Sequence, residues 1–190
     1  MTSFQSNGYL TGKLLIAMPQ MTDSRFVKSV IYICAHNEDG AMGLVVNQLI
    51  ESFSFVDLLE QLKIPPTEAS SQIKVHFGGP VESGRGFVLH SNDYQQDGTM
   101  PVDETISMTA TVDILSDLAN NKGPEKSLLA LGYAGWGPGQ LNDELHQNGW
   151  LVADQDDEIL FGPNLMDKWN LAMSKIGIDP ALLSGEAGHA

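Results

Sequence analysis

The sequence predicts an α+β fold, and three observations carry that expectation. Short apolar runs of strand length recur along the 190-residue chain, beginning with Leu14-Leu15-Ile16-Ala17-Met18. Segments with apolar residues on one helical face, such as residues 54–62, lie between them. The two kinds alternate irregularly, which suits α+β better than a repeated strand–helix unit. With 42% hydrophobic residues the chain can bury a substantial core, and residues 1–190 fit one domain.

Taken in order, residues 14–18 form the first strand, stopped by Pro19, and the β-branched run at 29–35 forms the second. Turn chemistry at 37–40 and an apolar run at 41–46 predict a hairpin around Glu38-Asp39-Gly40. Ser54 opens a helix with Asp57 three residues on as a capping-box pair; Phe55, Leu58, Leu59 and Leu62 share its face, and Pro65-Pro66 ends it. Residues 73–77 alternate as a half-buried strand and 87–89 form another. A hairpin centred near Ser83 would join them and set His76 opposite His90 on its polar face. A strand at 105–108 precedes a helix at 111–120 that buries Val112, Leu115, Leu118 and Ala119. After the break at Gly123-Pro124, residues 127–132 form a strand, 140–147 a helix, 150–152 a strand and 164–176 a helix with Leu165, Trp169, Leu171, Ala172 and Ile176 mostly along one side. The ends, 1–8 and 184–190, are expected to be mobile.

Charge narrows the function classes. The formal charge is -14, from 24 Asp and Glu against 10 Lys and Arg. Basic residues supply the general attraction to phosphate backbones, so direct nucleic-acid binding and an anionic-membrane patch are disfavoured. No apolar run reaches the roughly 18 residues of a membrane span. The polar start, without a basic and apolar leader, and the single cysteine, Cys34, point to a reduced cytoplasmic setting. Cys34 sits among apolar strand neighbours, where a thiol is inert.

Residues 131–141, Leu-Gly-Tyr-Ala-Gly-Trp-Gly-Pro-Gly-Gln-Leu, are the most distinctive segment. Four glycines and two aromatics on a loop between a strand and a helix suggest either a packing corner or a ligand cradle, with Gly135, Gly137 and Gly139 as candidate binding positions. The glycine spacing fits neither a dinucleotide fingerprint nor a P-loop, and Pro138 removes a donor, so a packing corner is favoured. Left-handed angles or close backbone contacts at Gly135 and Gly137 would make valine there destabilising. Arg85, between Gly84 and Gly86, is one of two arginines and a candidate for holding a carboxylate or phosphate, with an ion pair as the favoured alternative. Asp23, as cap of a short helix from Ser24, could join Arg25 and His36 at a common site, although the spacing does not require it. His76 and His90 lack a third ligand, so no metal is assigned. Asp154, Asp156, Asp157 and Glu158 lack the glycine of a calcium loop and read as a solvated turn. A Gly-x-Ser-x-Gly nucleophile motif is absent, and no catalytic residue or cofactor is assigned.

Jointly, several segments resemble the YqgE/AlgH family of bacterial proteins. They are Gly12 with residues 14–19, then Met21, Asp23, Phe26, Ser29-Val30 and His36, and Gly40-Ala41-Met42-Gly43-Leu44-Val45 with Asn47. Gly78-Gly79-Pro80-Val81, residues 85–90, residues 131–141, and Glu144, Leu145, Asn148 and Trp150 complete the match, which spans about residues 8–176. The resemblance implies a bent or branched, partly barrel-like sheet surrounded by helices. It also implies a small cytoplasmic protein of a family without an established biochemical activity, some of whose members are labelled transcriptional regulators. It brings no catalytic residues. The function expected is a non-catalytic regulatory protein, monomeric, binding a protein or small-molecule partner. The alternatives are an enzyme, such as a hydrolase or nucleotide-handling protein using the glycine segment and Arg85, and a direct transcriptional regulator.

Overall fold

The computed structural model describes residues 9–183. Expected mobility of the ends, 1–8 and 184–190, lies outside the described residues. β1 (Lys13–Ala17), β2 (Val30–Asn37) and β3 (Gly40–Val45) form an antiparallel meander, with the expected hairpin at Glu38-Asp39. Both faces of these strands are buried. Leu14, Ile16, Tyr32 and Leu44 point into one core, whereas Leu15, Ile31, Ile33 and Val45 point into another. That is why the sequence there reads as continuous apolar runs.

α1 (Phe55–Gln61) begins at the predicted capping box: the Asp57 amide donates to Ser54 Oγ and the Ser54 amide to the Asp57 carboxylate. β4 (Val75–Phe77), β5 (Val81–Ser91), β6 (Met100–Pro101) and β7 (Ile106–Thr109) follow, then α2 (Val112–Ala119). Leu62 and Val112, expected on buried helix faces, are exposed. β8 (Ser127–Trp136) is longer than predicted and carries Tyr133 and Trp136 within the strand rather than on a loop; Trp136 is buried and Tyr133 half-buried. α3 (Gln140–His146) opens where expected, after Gly139 in left-handed conformation (φ 72°). β9 (Trp150–Asp154) leads to α4 (Asp157–Phe161), α5 (Lys168–Lys175) and α6 (Pro180–Leu183). The single helix predicted over 164–176 is a 3₁₀ turn at Leu165–Asp167 followed by α5, which buries Lys168 and Trp169 and leaves Leu171 exposed. The acidic turn at 154–158 hides the start of α4, where Asp156 accepts from the Glu158 and Ile159 amides.

The strands form one nine-stranded sheet in the order β6-β7-β5-β8-β3-β2-β1-β9, with β4 also on β8. β5 occupies one edge of β8 along most of its length. The other edge is divided: β4 pairs in parallel with Leu129–Leu131, and β3 pairs antiparallel with residues 134–136. The sheet therefore forks at Gly132-Tyr133. Gly78 stitches the fork, its amide donating to the Leu131 carbonyl and its carbonyl accepting from the Val45 amide.

This fork overturns the expected hairpin around Ser83. β4 and β5 do not pair; β8 lies between them, with His76 beside Ala130 and His90 beside Ser127. Gly78-Gly79 is used to cross another backbone closely, not to turn. A Cβ on Gly79 would lie 2.0 Å from the Tyr133 carbonyl carbon, and one on Gly132 2.3 Å from the Gly79 oxygen. Both histidines are buried rather than on a polar face: His90 is closed by Thr109 Oγ1 at 2.7 Å and the Ser91 carbonyl at 2.8 Å.

The sheet curls into a half-barrel with helices around it. α4 and α5 pack Ile159, Leu160, Trp169 and Met173 against one face; α1 and α2 cover another through Phe55, Leu59, Ile114 and Leu118. No helix among the described residues is long and apolar enough to cross a membrane.

Candidate functional site

A groove of about 860 Å³ lies at the margin of the half-barrel. Its lining comes from the β2–β3 hairpin and from β5, β6, β7 and β8, stretches distant in sequence that the sheet's curl brings together. Phe87 and Met108 belong to the central core, and Met42 and Tyr133 are half-buried against it. The Phe87 and Tyr133 rings meet edge to face, with centroids 5.7 Å apart, and stiffen that wall. Met42, Met100 and Met108 supply three unbranched, polarisable side chains that can re-pack around an occupant.

Polar groups lie on the rim: Asn37, Asp39, Glu82, Arg85 and Thr111. β5 bulges between Val81 and Gly86, which pair with Tyr133 and Leu131, so residues 82–85 loop outward. Glu82 sits in the left-handed region (φ 47°). Arg85 Nη1 is 3.7 Å from Glu82 Oε2, and the guanidinium lies 5.1 Å from the Phe87 ring centroid. Both side chains are about half exposed, so the pair is a loose surface contact that leaves Arg85 free to reorient.

The candidate residues are distributed over separate places. Gly135 is exposed on β8, lining the groove on one side and a cavity of about 190 Å³ on the other. Asp23 and Arg25 line that smaller cavity as a bidentate pair, with Arg25 Nε and Nη2 at 3.0 and 2.7 Å from the carboxylate. Arg25 holds the Asp23 carboxyl below its usual range. A turn, not a helix, follows Asp23. His36 lies elsewhere, in a cavity of about 690 Å³ beside Asp103; its Nδ1 accepts from the Leu10 amide at 3.0 Å, and burial pulls its pKa down. Asp23 and Arg25 therefore share no site with His36. Arg85 and Gly135 do meet in the groove.

The expected strain at Gly135 and Gly137 is absent, because neither has a left-handed φ. A Cβ on Gly135 would make ordinary contact with Tyr133 at 3.4 Å, and one on Gly137 would come no closer than 3.8 Å to Gln140. Tight positions are instead Gly132, within the segment, and Gly79, which crosses it. Gly137 and Gly139 serve the corner: the Gly137 amide donates to Gln140 Oε1 at 2.9 Å, and Gly139 precedes α3.

Glu144 organises this corner. Its Oε1 accepts from the Trp136 and Trp150 indoles at 3.2 and 3.0 Å, and its Oε2 from Gln140 Nε2 at 2.9 Å. Glu144→Ala is expected to orphan two buried indole donors and cost about 2 kcal/mol, read by urea denaturation followed through tryptophan emission. An unchanged midpoint would remove Glu144 as the hub.

Sequence reasoning missed the methionine and aromatic lining, because strands far apart supply it and no local spacing marks it. It also missed a small cavity around His76 and Lys168. Burial raises the Cys34 thiol pKa, so Cys34 stays protonated. Among the described residues, no three His, Cys, Asp or Glu side chains are grouped to hold a metal.

A family model described as AlgH-like matches residues 14–181. A UPF0301 protein of Rhodospirillum rubrum is 52% identical over 183 residues, covering 96% of this chain and 95% of that protein. A UPF0301 protein of Paracoccus denitrificans is 54% identical over 184 residues, covering 95% and 97%. Among solved structures, the solution structure of AlgH from Pseudomonas aeruginosa matches with a TM-score of 0.82 at 41% identity, covering 99% of this chain and 100% of that one. A Corynebacterium diphtheriae crystal structure, at 20% identity, shares the fold with a TM-score of 0.74 over 92% of this chain and 91% of its own.

Proposed function

Because this chain belongs to the AlgH-like family, whose UPF0301 members match it along almost its whole length, we propose that its curled sheet serves as a binding platform and that the protein acts by holding a partner in the half-barrel groove. One observation carries this: a groove of about 860 Å³ with a methionine and aromatic floor lies open beside an exposed glycine. Such a volume is in the range of built ligand sites, and a methionine floor suits apolar side chains of varied shape. The favoured occupant is a partner-protein segment with aliphatic or aromatic residues flanked by basic ones, since Asp39 and Glu82 outnumber Arg85 on the rim and the chain carries -14.

Regulation through such a partner, in the cytoplasm and by a monomer, fits the composition better than direct DNA contact. Lys13, Arg25, Lys126 and Lys175 are paired with acids and Lys168 is buried, so only half of the ten cations are left to follow a phosphate backbone. The meeting of Arg85 with Gly135 favours the enzyme alternative, but the loose Arg85–Glu82 contact is not the fixed clamp that positioning a reacting group requires.

Gly135→Val tests the platform. Valine suits a strand and meets no backbone here, so stability is expected to stay within about 1 kcal/mol of the parent. Its methyl groups would enter the groove. Peptides selected from a random display library against the parent should be rich in apolar residues flanked by Lys or Arg, and bind Gly135→Val about tenfold more weakly or worse. Equal binding by both chains, or selection of none, defeats the platform. If a nucleotide rather than a peptide stabilises the parent alone, the groove is a small-molecule site.

A further inference from the structure

A cavity of about 260 Å³ lies apart from the groove, between the starts of β4 and β8 and the connection from α4 to α5. No acid lines it, although acids outnumber Lys and Arg by 24 to 10 in the whole chain. Lys74, His76 and Lys168 all do. Lys168 is 1% exposed and has no carboxylate partner among the described residues. Its Nζ donates to the Val46 carbonyl at 3.0 Å and the Leu160 carbonyl at 2.9 Å, which leaves one of three donors uncommitted. A buried cation without a counter-charge is costly, and this one is held by two carbonyl dipoles alone. Burial, then the Lys74 charge, pulls its pKa down to about 8, so most of it is charged at neutral pH.

His76 complements the two cations. Its Nδ1 lies 2.9 Å from the Leu129 carbonyl oxygen, which can only accept, so Nδ1 carries the proton. Nε2 then holds a lone pair, has no hydrogen-bond partner among the described residues and is not among their sealed, unpaired atoms, so it is open to the cavity. Burial, with Lys168 and Lys74 nearby, keeps the ring neutral at pH 7. The cavity thus presents positive charge and one acceptor.

We propose that this cavity binds a small phosphate-class oxyanion in a form that keeps a proton, either inorganic hydrogen phosphate or a phosphomonoester monoanion, with Lys168 and Lys74 attracting its charge and His76 Nε2 accepting its O–H. The lysines supply affinity and the histidine supplies selection. Hydrogen phosphate has a proton to donate at neutral pH, and a phosphomonoester has one only as its monoanion, since its second pKa is about 6; sulfate, of similar shape and charge, has none. An acceptor facing sulfate oxygen is left unpaired and repelled.

Calorimetric titration at pH 7 and matched ionic strength tests this with inorganic phosphate, a three-carbon phosphomonoester and sulfate. One saturable site is expected for phosphate or the ester, the tighter of the two identifying the source, with sulfate about tenfold weaker or worse. Lys74→Gln, at the exposed mouth, should weaken phosphate about fivefold without changing the melting temperature. His76→Asn, whose amide can still donate to the Leu129 carbonyl, should lose the preference for phosphate over sulfate. Gly135→Val should leave phosphate binding unchanged, which separates this site from the groove. Absence of saturable binding, equal affinity for phosphate and sulfate in the parent, or full affinity in Lys74→Gln overturns the assignment.

Discussion

Gly79→Ala is expected to leave little folded protein, or to destabilise it by about 3 kcal/mol or more. Alanine's Cβ would have to occupy space 2.0 Å from the Tyr133 carbonyl carbon and 2.3 Å from the Ala134 nitrogen. These are backbone atoms of the strand that carries both branches of the sheet, so no side-chain rotation relieves the clash. Either the crossing opens, breaking the stitches from Gly78 to Leu131 and Val45, or β8 shifts and loses β3. Gly84→Ala is the control, since no neighbouring atom lies within 4 Å of a Cβ there. Urea denaturation of both chains decides the matter: a Gly79→Ala midpoint matching that of Gly84→Ala would mean the fork is loose.

The second large effect is an acid-side loss of stability centred on His76. Burial, with the Lys168 and Lys74 charges, lowers its pKa in the folded chain from 6.5 to about 4. The folded-state pKa lies below the unfolded one, so the unfolded chain binds the extra proton first as pH falls. The stability contributed by neutral His76 is complete above about pH 6.5 and is lost as pH drops towards about 4. The whole difference is worth about 3 kcal/mol, and about 2 of it is gone by pH 5. His90 and His36 are shifted in the same direction by burial and add to the slope. Chemical denaturation at steps from pH 7.5 to 5 should show the fall, and His76→Asn should flatten it. A parent chain equally stable at both ends of that range would refute the assignment of a buried neutral imidazole.

Local signals were legible in the sequence and the sheet's connectivity was not. The Ser54–Asp57 cap, the hairpin at Glu38-Asp39 and the start of α3 after Gly139 are all written within a few residues, and each lies where the residues put it. The hairpin around Ser83 failed for the opposite reason. Turn-like glycines between two apolar runs ordinarily mean that the runs pair, but here Gly78 and Gly79 make room for a third strand from far along the chain. The candidate site shows the same division. Arg85 and Gly135 stood out as unusual residues, whereas Met42, Met100 and Met108 are ordinary apolar residues until curvature gathers them. Lys168 was unreadable as a buried cation, because a lysine at a helix start is ordinarily solvated.

The divided edge of β8 also sets an order of events during synthesis. β3 and β4 each wait for β8, and β1 waits still longer for β9, to which Lys13 and Asp154 are joined across 141 residues of chain. Until residue 136 has emerged from the ribosome, the nascent chain carries β-rich segments whose hydrogen-bonding edges have no native neighbour. Such non-local closure places folding in the slow, millisecond-to-second regime rather than the microsecond one. Open strand edges are the places where incomplete chains pair wrongly with one another, so crowding by other nascent chains is most hazardous before β8 arrives.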